Sequence, residues 1–409
     1  MYKSLLFFVF LLFFTNVDAK IKLKEGTWFG SLHIHSDKYL PFELKIKKNK
    51  KDYSFTIHNG KEVVQLLPYT VINDSINLEF KSFKSTLRFI IDSKKCISGY
   101  WINQNKTGDY RIPFKSICTT EERFTELTSK APLFNPTGNW KVTFNYKKGK
   151  PYNALGVFNQ TKKSGYVEGT FLTETGDYRF LEGKVGGNQL KLSCFDGSHA
   201  FLFESYLRND TLFGQFYSGK HWKTSWFAVR DENFSLSHPD SLTTLTSTTL
   251  PLQFAMKDIQ NNHFSYPNTS LKDKVIIIQI MGTWCPNCLD ETKYYKMLHE
   301  KYNENGLEII SVGYEIPETF SEQAARLKRL KDMYNLDFTF LVGGKADKSL
   351  ASEHFYMLNK IISFPTSIYI NRKGEVVRIH TGFNGPGTGE KYIEYAKETE
   401  AFIQSLLIN

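Results

Sequence analysis

Between Gly26 and about Phe124, apolar and polar residues alternate, as in Trp28-Phe29-Gly30-Ser31-Leu32-His33-Ile34-His35 and Ile76-Asn77-Leu78-Glu79-Phe80. Such alternation buries every second side chain of a pleated strand. Turn pairs punctuate it at Asn59-Gly60, Asn73-Asp74 and Gly108-Asp109. Short strands with regular turns predict an antiparallel sheet, sandwich or barrel. The pattern then restarts. Gly26-Thr27-Trp28 is echoed by Gly138-Asn139-Trp140, Leu87-Arg88-Phe89 by Phe201-Leu202-Phe203, and Gly99-Tyr100-Trp101 by Gly214-Gln215-Phe216. The near-constant offset predicts two related β units, 20–130 and 131–232, joined by a Pro-containing connector at Ala131–Pro136. A competing echo, Thr107–Arg111 with Thr175–Arg179, reads as two hairpins that each turn at Gly-Asp.

The pattern changes after residue 232. Residues 233–250 are rich in Ser, Thr, Leu and Asp around Pro239 and read as a linker or extended crossing segment. Residues 251–409 form a last domain, opening with a hairpin through Asn261-Asn262. Val275–Ile280, Leu307–Val312 and Phe338–Val342 are strands of the buried type, and Thr366–Ile370 with Glu375–His380 is a closing hairpin. Helices are expected over Leu289–Tyr302, Glu318–Tyr334 and Lys391–Leu407. Strands alternating with helices argue for α/β. The expected fold class is therefore multidomain: an N-terminal all-β region of two related antiparallel units, then a C-terminal α/β domain.

The first residues change the address. One Lys, a short run dense in Phe and Leu, and Val17-Asp18-Ala19 read as a signal peptide over 1–19, with an uncleaved anchor as the lesser option. That places the mature chain in the periplasm or otherwise outside the cytoplasm. The net charge of +10 is spread over scattered lysines such as Lys45, Lys47 and Lys48. It reads as a solvated basic surface compatible with association at anionic envelope surfaces. A nucleic-acid site needs a clustered stripe with stacking aromatics, so no nucleic acid is expected. Of the five cysteines, Cys96, Cys118 and Cys194 lie in or beside strands and read as buried small hydrophobes. A Cys96–Cys118 disulfide stays open as the alternative. Cys194-Phe195-Asp196-Gly197-Ser198-His199 reads as a hairpin turn, since its spacing fits no standard metal pattern. His33 and His35 share a strand face without a third ligand. Neither a metal nor a cofactor is expected.

The chemistry concentrates in Met281-Gly282-Thr283-Trp284-Cys285-Pro286-Asn287-Cys288, between a buried strand and a helix. In that context C-x-x-C reads as a dithiol redox site. A Cys at a helix N-terminus meets unpaired N–H groups and the positive end of the helix dipole, which stabilise a thiolate. Cys285 has that position, and Cys288, one turn on, is placed to resolve a mixed disulfide. Pro286 suits the first turn, where a missing N–H costs nothing.

Gly282–Cys288, followed downstream by Phe364-Pro365-Thr366, closely resembles the thioredoxin fold over about Pro251–Asn409. More narrowly it resembles the TlpA/ResA-type exported thiol–disulfide oxidoreductases. The segment Gly382–Gly389 with Tyr392, and the stretch Gly176–Phe203, are similar to Bacteroidota-type members, so the β region travels with the redox domain in that subset. The resemblance implies that Cys285 attacks and Cys288 resolves, through a Cys285–Cys288 redox disulfide. It implies that Pro365 is a cis proline facing the dithiol and that Trp284, Pro286 and Phe364 meet the substrate chain. Glu291 matches an acidic residue kept near the dithiol; on a helix it shares the face of Cys288 and can take or return a thiol proton. Protein thiols and disulfides are the implied partners, with an upstream membrane electron donor and reduction of envelope-protein disulfides as the implied direction.

Departures are Gln279 in place of Asn or Asp, Ile280-Met281 in place of an aromatic pair, and Asp290, whose charge would raise the thiol pKa. The Cys spacing does not fit a copper chaperone, Thr283 is misplaced for a peroxiredoxin, and Leu289 stands where haem attachment wants His. A second functional class is an envelope binding protein with an accessory redox domain. Its β region would recognise a glycan, lipid or protein through Trp101, Tyr110, Phe216, Tyr217, Trp222 and Trp226.

Overall fold

The computed structural model describes residues 22–50, 52–161, 165–247 and 251–408. The expected 1–19 segment and residues 248–250 of the expected linker lie outside them. Residues Gly26–Cys118 form a nine-stranded antiparallel sheet in which sequential strands are neighbours, except that Glu62–Gln65 and Thr70–Ile72 stand at opposite ends of the order and Gly26–His35 pairs with the last strand, Arg111–Cys118. Along Gly26–His35 the buried positions are every second residue, including Trp28, Leu32 and Ile34, so the period of two is realised as one packed face.

Residues Gly138–Arg230 form a second nine-stranded sheet whose first strand again pairs with its last. Gly138–Phe144 pairs with the last strand, Trp222–Arg230, and Tyr152–Gln160 pairs with Tyr166–Thr173, so the sheet forms a ring. The two tryptophans of the echo behave alike. Trp28 donates its indole N–H to the Lys24 carbonyl (2.9 Å) and Trp140 to the Pro136 carbonyl (2.8 Å), and both rings are buried. The second echo is not a repeat. Gly108 sits in the connection between Cys96–Asn103 and Arg111–Cys118, whereas Gly176-Asp177 is a short returning strand on Leu172–Thr173. The turn therefore precedes the Gly-Asp pair at Glu174-Thr175, which corrects the expectation.

The aromatics proposed for a binding face are mostly core. Trp101, Tyr110, Phe216, Tyr217 and Trp226 are buried, and of those six only Trp222 is exposed. Burying a large aromatic stabilises by roughly 2–3 kcal/mol, which explains the alternation without a ligand. All five cysteines are free thiols, Cys194 fully buried and Cys96 and Cys118 half-buried.

The C-terminal sheet has seven strands, ordered His263–Tyr266, Phe254–Asp258, Thr339–Lys345, Leu307–Glu315, Val275–Met281, Thr366–Ile370 and Val376–Thr381. Val275–Met281 runs parallel to Leu307–Glu315 and antiparallel to Thr366–Ile370, and every one of its residues is buried. Such a central strand has no solvated face, hence the unbroken apolar run. The helices are α1 (Pro286–Tyr302), α2 (Phe320–Tyr334), α3 (Lys348–His354) and α4 (Glu390–Ile408). Thr319 caps α2 by accepting the Glu322 N–H, and Asn335 ends it in the left-handed conformation. The short, mostly polar α3 was not anticipated; Asp347 caps it, accepting from the Ser349 and Leu350 N–H groups.

The segment read as a linker is tied down where it is described. Thr243 is fully buried, and Asp240 pairs with Arg378 (2.8 Å) and His380 (2.6 Å). The Cys194–His199 turn is likewise an attachment point. Asn59 exchanges two hydrogen bonds with the Phe195 backbone, and Ser85 donates to the Gly197 carbonyl (2.6 Å). The Phe195 ring packs among Phe42, Phe80 and Trp101, locking the ring of strands onto the first sheet.

Candidate active site

The buried strand Val275–Met281 delivers the chain to Gly282, and α1 begins at Pro286, so Cys285 is the helix N-cap. Its sulfur accepts the Cys288 N–H (3.4 Å), and its thiol donates to the Phe364 carbonyl (3.5 Å). The Phe364–Pro365 bond is cis. Cys285 is 9 % exposed and Cys288 0 %, so an incoming sulfur meets Cys285 first. Burial pushes the Cys288 thiol well up, and the adjoining Cys285 and Glu291 push the same way.

Two carboxylates are sealed behind the motif. Glu291 is fully buried and accepts from Gln279 Nε2 (2.8 Å), Ser367 (3.1 Å) and Tyr295 (3.2 Å). Burial drives its pKa up to about 8, with those three hydrogen bonds opposing. The Tyr295 hydroxyl continues to Tyr369 (2.9 Å), and Tyr369 to Tyr395 (3.5 Å), a row of hydroxyls leading away from the dithiol. Glu315, at the end of Leu307–Glu315, accepts both the N–H and the hydroxyl of Thr283 at 2.7 Å. Burial raises it to about 7. Trp284 donates its indole N–H to the Tyr314 carbonyl (3.0 Å) and meets Phe364 edge-on, while Phe364 stacks on Tyr314. The residues preceding Cys285 are thus held by side chain and backbone together.

The β units reach the same place. Asn287, between the two cysteines, donates to the Asp177 carbonyl (3.3 Å), and Ser363, before the cis bond, donates to the Thr175 carbonyl (2.9 Å). Asp177 also accepts the Gly385 N–H (2.7 Å), so the Gly176–Phe203 and Gly382–Gly389 stretches are each other's partners. Gly176 is required here: its φ is +137°, and a Cβ would lie 2.2 Å from Asn287 Nδ2. Beside it Arg179, almost fully buried, pairs with Asp290 of α1, with Glu62 of the first sheet (2.7 Å) and with Asp196 (3.4 Å). One guanidinium therefore joins all three parts of the chain. Asp290 was expected to act as a free negative charge near the thiols; it is instead matched by Arg179 and by Lys293 (3.4 Å).

The expected residues Cys285, Cys288, Glu291, Pro365, Trp284, Pro286 and Phe364 thus converge. Arg179, Asp177, Glu315 and the Gln279 network were missed. The repeated Thr-Gly-Asp-Tyr-Arg string was the available signal for the first two. Cys285 opens into a chamber of about 890 Å³ bounded by Asn105, Lys106, Lys150, Tyr152, Trp284 and the Thr173–Tyr178 segment. Among the described residues no cluster of metal-ligating side chains occurs.

The arrangement suits two-electron thiol–disulfide exchange. Comparison with known proteins agrees. The Redoxin family profile matches residues 246–396. Thiol-disulfide oxidoreductase ResA of Halalkalibacterium halodurans is 30% identical over 146 residues, covering 36% of this chain and 74% of that protein. Sporulation thiol-disulfide oxidoreductase A of Bacillus subtilis is 26% identical over 152 residues, covering 36% and 81%. Among solved structures, StoA from Bacillus subtilis superposes with a TM-score of 0.27 at 19% identity, covering 38% of this chain and 98% of that one. The chain belongs to the ResA-type thiol–disulfide oxidoreductases, its redox domain occupying the C-terminal part.

Proposed function

We propose that this oxidoreductase is exported and reduces disulfides of envelope proteins through a mixed disulfide at Cys285. The observation that carries the reading is the asymmetry of the two sulfurs: Cys285 borders the chamber, and Cys288 is sealed behind it near a protonatable carboxylate. The Cys285 thiolate attacks one substrate sulfur, and the other sulfur leaves as a thiolate that takes up a proton. Cys288 then loses its proton, attacks the Cys285 sulfur and releases the second substrate thiol, leaving a Cys285–Cys288 disulfide. The substrate gains two electrons and the dithiol loses two; a membrane dithiol donor restores them.

Glu291 accepts the Cys288 proton and returns it on re-reduction, because a pKa near the working pH is the effective range for such transfer. Trp284, Pro286, Phe364 and Pro365 form the surface against which the substrate chain lies. Export rests on the signal-like residues 1–19 and would be read by fractionation and N-terminal sequencing. Cys288→Ser should accumulate mixed disulfides through Cys285, and their mass identifies the substrates; a variant that traps nothing refutes the mechanism. The reduction potential of the pair tests direction: a value near −120 mV, that of a strong oxidant, would refute the reductive assignment.

A further inference from the structure

The chamber in front of Cys285 has no role in the exchange as written above. Its volume, about 890 Å³, falls within the range of pockets that enclose small ligands, and a folded protein cannot enter it. Its walls come from all three parts of the chain, with the side-chain amides of Asn103, Asn105 and Asn153 among them. Two carboxylates line it, and both are engaged. Asp177 accepts from the Gly385 and Arg179 N–H groups (2.7 Å each), and Glu174 accepts from the Ser237 hydroxyl (2.6 Å). The His199 ring faces Asp196 at 3.3 Å.

The two lysines on the wall differ. Among the described residues, neither Lys106 nor Lys150 has a carboxylate in ion-pair range. Lys106 Nζ lies 3.4 Å from His221 Nε2. That imidazole is held neutral, its pKa pushed down to about 4 by burial and then by Lys106 itself. Burial also pulls the Lys106 pKa down. A half-buried ammonium with a neutral neighbour, facing an open chamber, lacks a counter-anion.

We propose that the chamber binds an extended, acidic, disulfide-bearing peptide segment, with Lys106 and Lys150 meeting its carboxylates and its disulfide lying against Cys285. This rests on the dithiol reading above and adds the substrate class to it. The exchange keeps its balance: one substrate sulfur bonds to Cys285 and the other leaves. The β units then serve as the walls that select which disulfides reach the thiol.

The test is a single turnover of the reduced full-length protein with homodimeric disulfides of a short peptide. Its central Cys is flanked by Glu, by Gln or by Lys. The expected order of second-order rates is Glu, then Gln, then Lys, with about a tenfold or greater span that shrinks as salt is added. The double variant Lys106→Glu with Lys150→Glu should invert the order, and Lys106→Gln with Lys150→Gln should narrow it. Equal rates for the three peptides, an order unchanged in the charge-reversed variant, or insulin reacting faster than the Glu peptide would overturn the chamber assignment while leaving the dithiol reading standing. Failure of even the Gln peptide to oxidise the protein would refute the dithiol reading, and this inference with it.

Discussion

Glu291→Gln isolates the cost of keeping an acid in the core. An ordinary glutamate titrates at 4.5, and here the folded state holds Glu291 up to about 8. Between those values the folded protein keeps a proton that the unfolded chain has released. The Glu291 contribution to stability is therefore greatest below 4.5, falls as pH rises through the window, and is flat above 8. At about 1.4 kcal/mol per unit, the full loss is about 5 kcal/mol. Gln has no proton to release. It keeps the acceptor that Gln279, Ser367 and Tyr295 use, at a cost of about 1 kcal/mol for imperfect hydrogen bonds. The variant should be near wild type at pH 5 and gain on it by about 4 kcal/mol at pH 8.5. Glu315 titrates in both proteins and cancels in the difference.

Hydrogen exchange of the Val275–Met281 amides, with the dithiol kept reduced, reads the opening free energy of this domain directly. Comparing variant and wild type at one pH removes the intrinsic exchange rate. The expected change is about a thousandfold in relative protection across that range. A difference flat with pH would mean that Glu291 carries its charge in the folded protein, and the proton-carrier assignment would fall with it.

Arg179→Met strands Asp290, Glu62 and Asp196 without their shared cation, and loss of one member of a buried ion cluster costs about 3–5 kcal/mol. Limited proteolysis should then cut near Glu174-Thr175 well before wild type; equal resistance would show that the cluster does not hold the parts together. Gly176→Ala places a Cβ 2.2 Å from Asn287 Nδ2 at a φ of +137°, so either the Asn287 amide leaves the Asp177 carbonyl or the hairpin shifts. Peptide-disulfide rates should change without loss of fold, and an unchanged rate would separate the hairpin from catalysis. Thr283→Val removes one of the two 2.7 Å bonds to Glu315 and should cost about 1–2 kcal/mol. A red shift of Trp284 emission would accompany it, and an unshifted spectrum would argue against an anchoring role.

The legible features were local. Strand, C-x-x-C and helix lie within one short stretch, and Phe364-Pro365-Thr366 is a contiguous string. Helix and strand ends moved by a few residues, as Glu318–Tyr334 became Phe320–Tyr334, because caps such as Thr319 rather than periodicity set the boundary. The Gly-x-Trp echo was legible because in both places a tryptophan is buried with its indole N–H on a carbonyl four residues upstream. The ion cluster was not. Arg179 and Asp290 stand far apart in the chain, and neither flanking pattern distinguishes a matched buried charge from a solvated one. Asp290 was therefore read as an unmatched charge rather than as a partner of Arg179. Glu315 was missed for a related reason: it closes an apolar strand, where a carboxylate looks like an exposed end until Thr283 folds over it.

The cluster around Arg179 also bears on how the chain is made. Glu62, Arg179 and Asp196 all precede Asp290 in the chain, so in an exported chain they emerge beyond the membrane first, and domains fold as units in order of emergence. The β units can therefore assemble their part of the node first, acids and guanidinium together, and wait for the last carboxylate. During that interval the emerging chain has no dithiol at all. When Cys285 and Cys288 finally emerge, the surface that will enclose them is already in place. A chain truncated from its N-terminus reverses this: its thiols would be present with nothing built to screen what they meet.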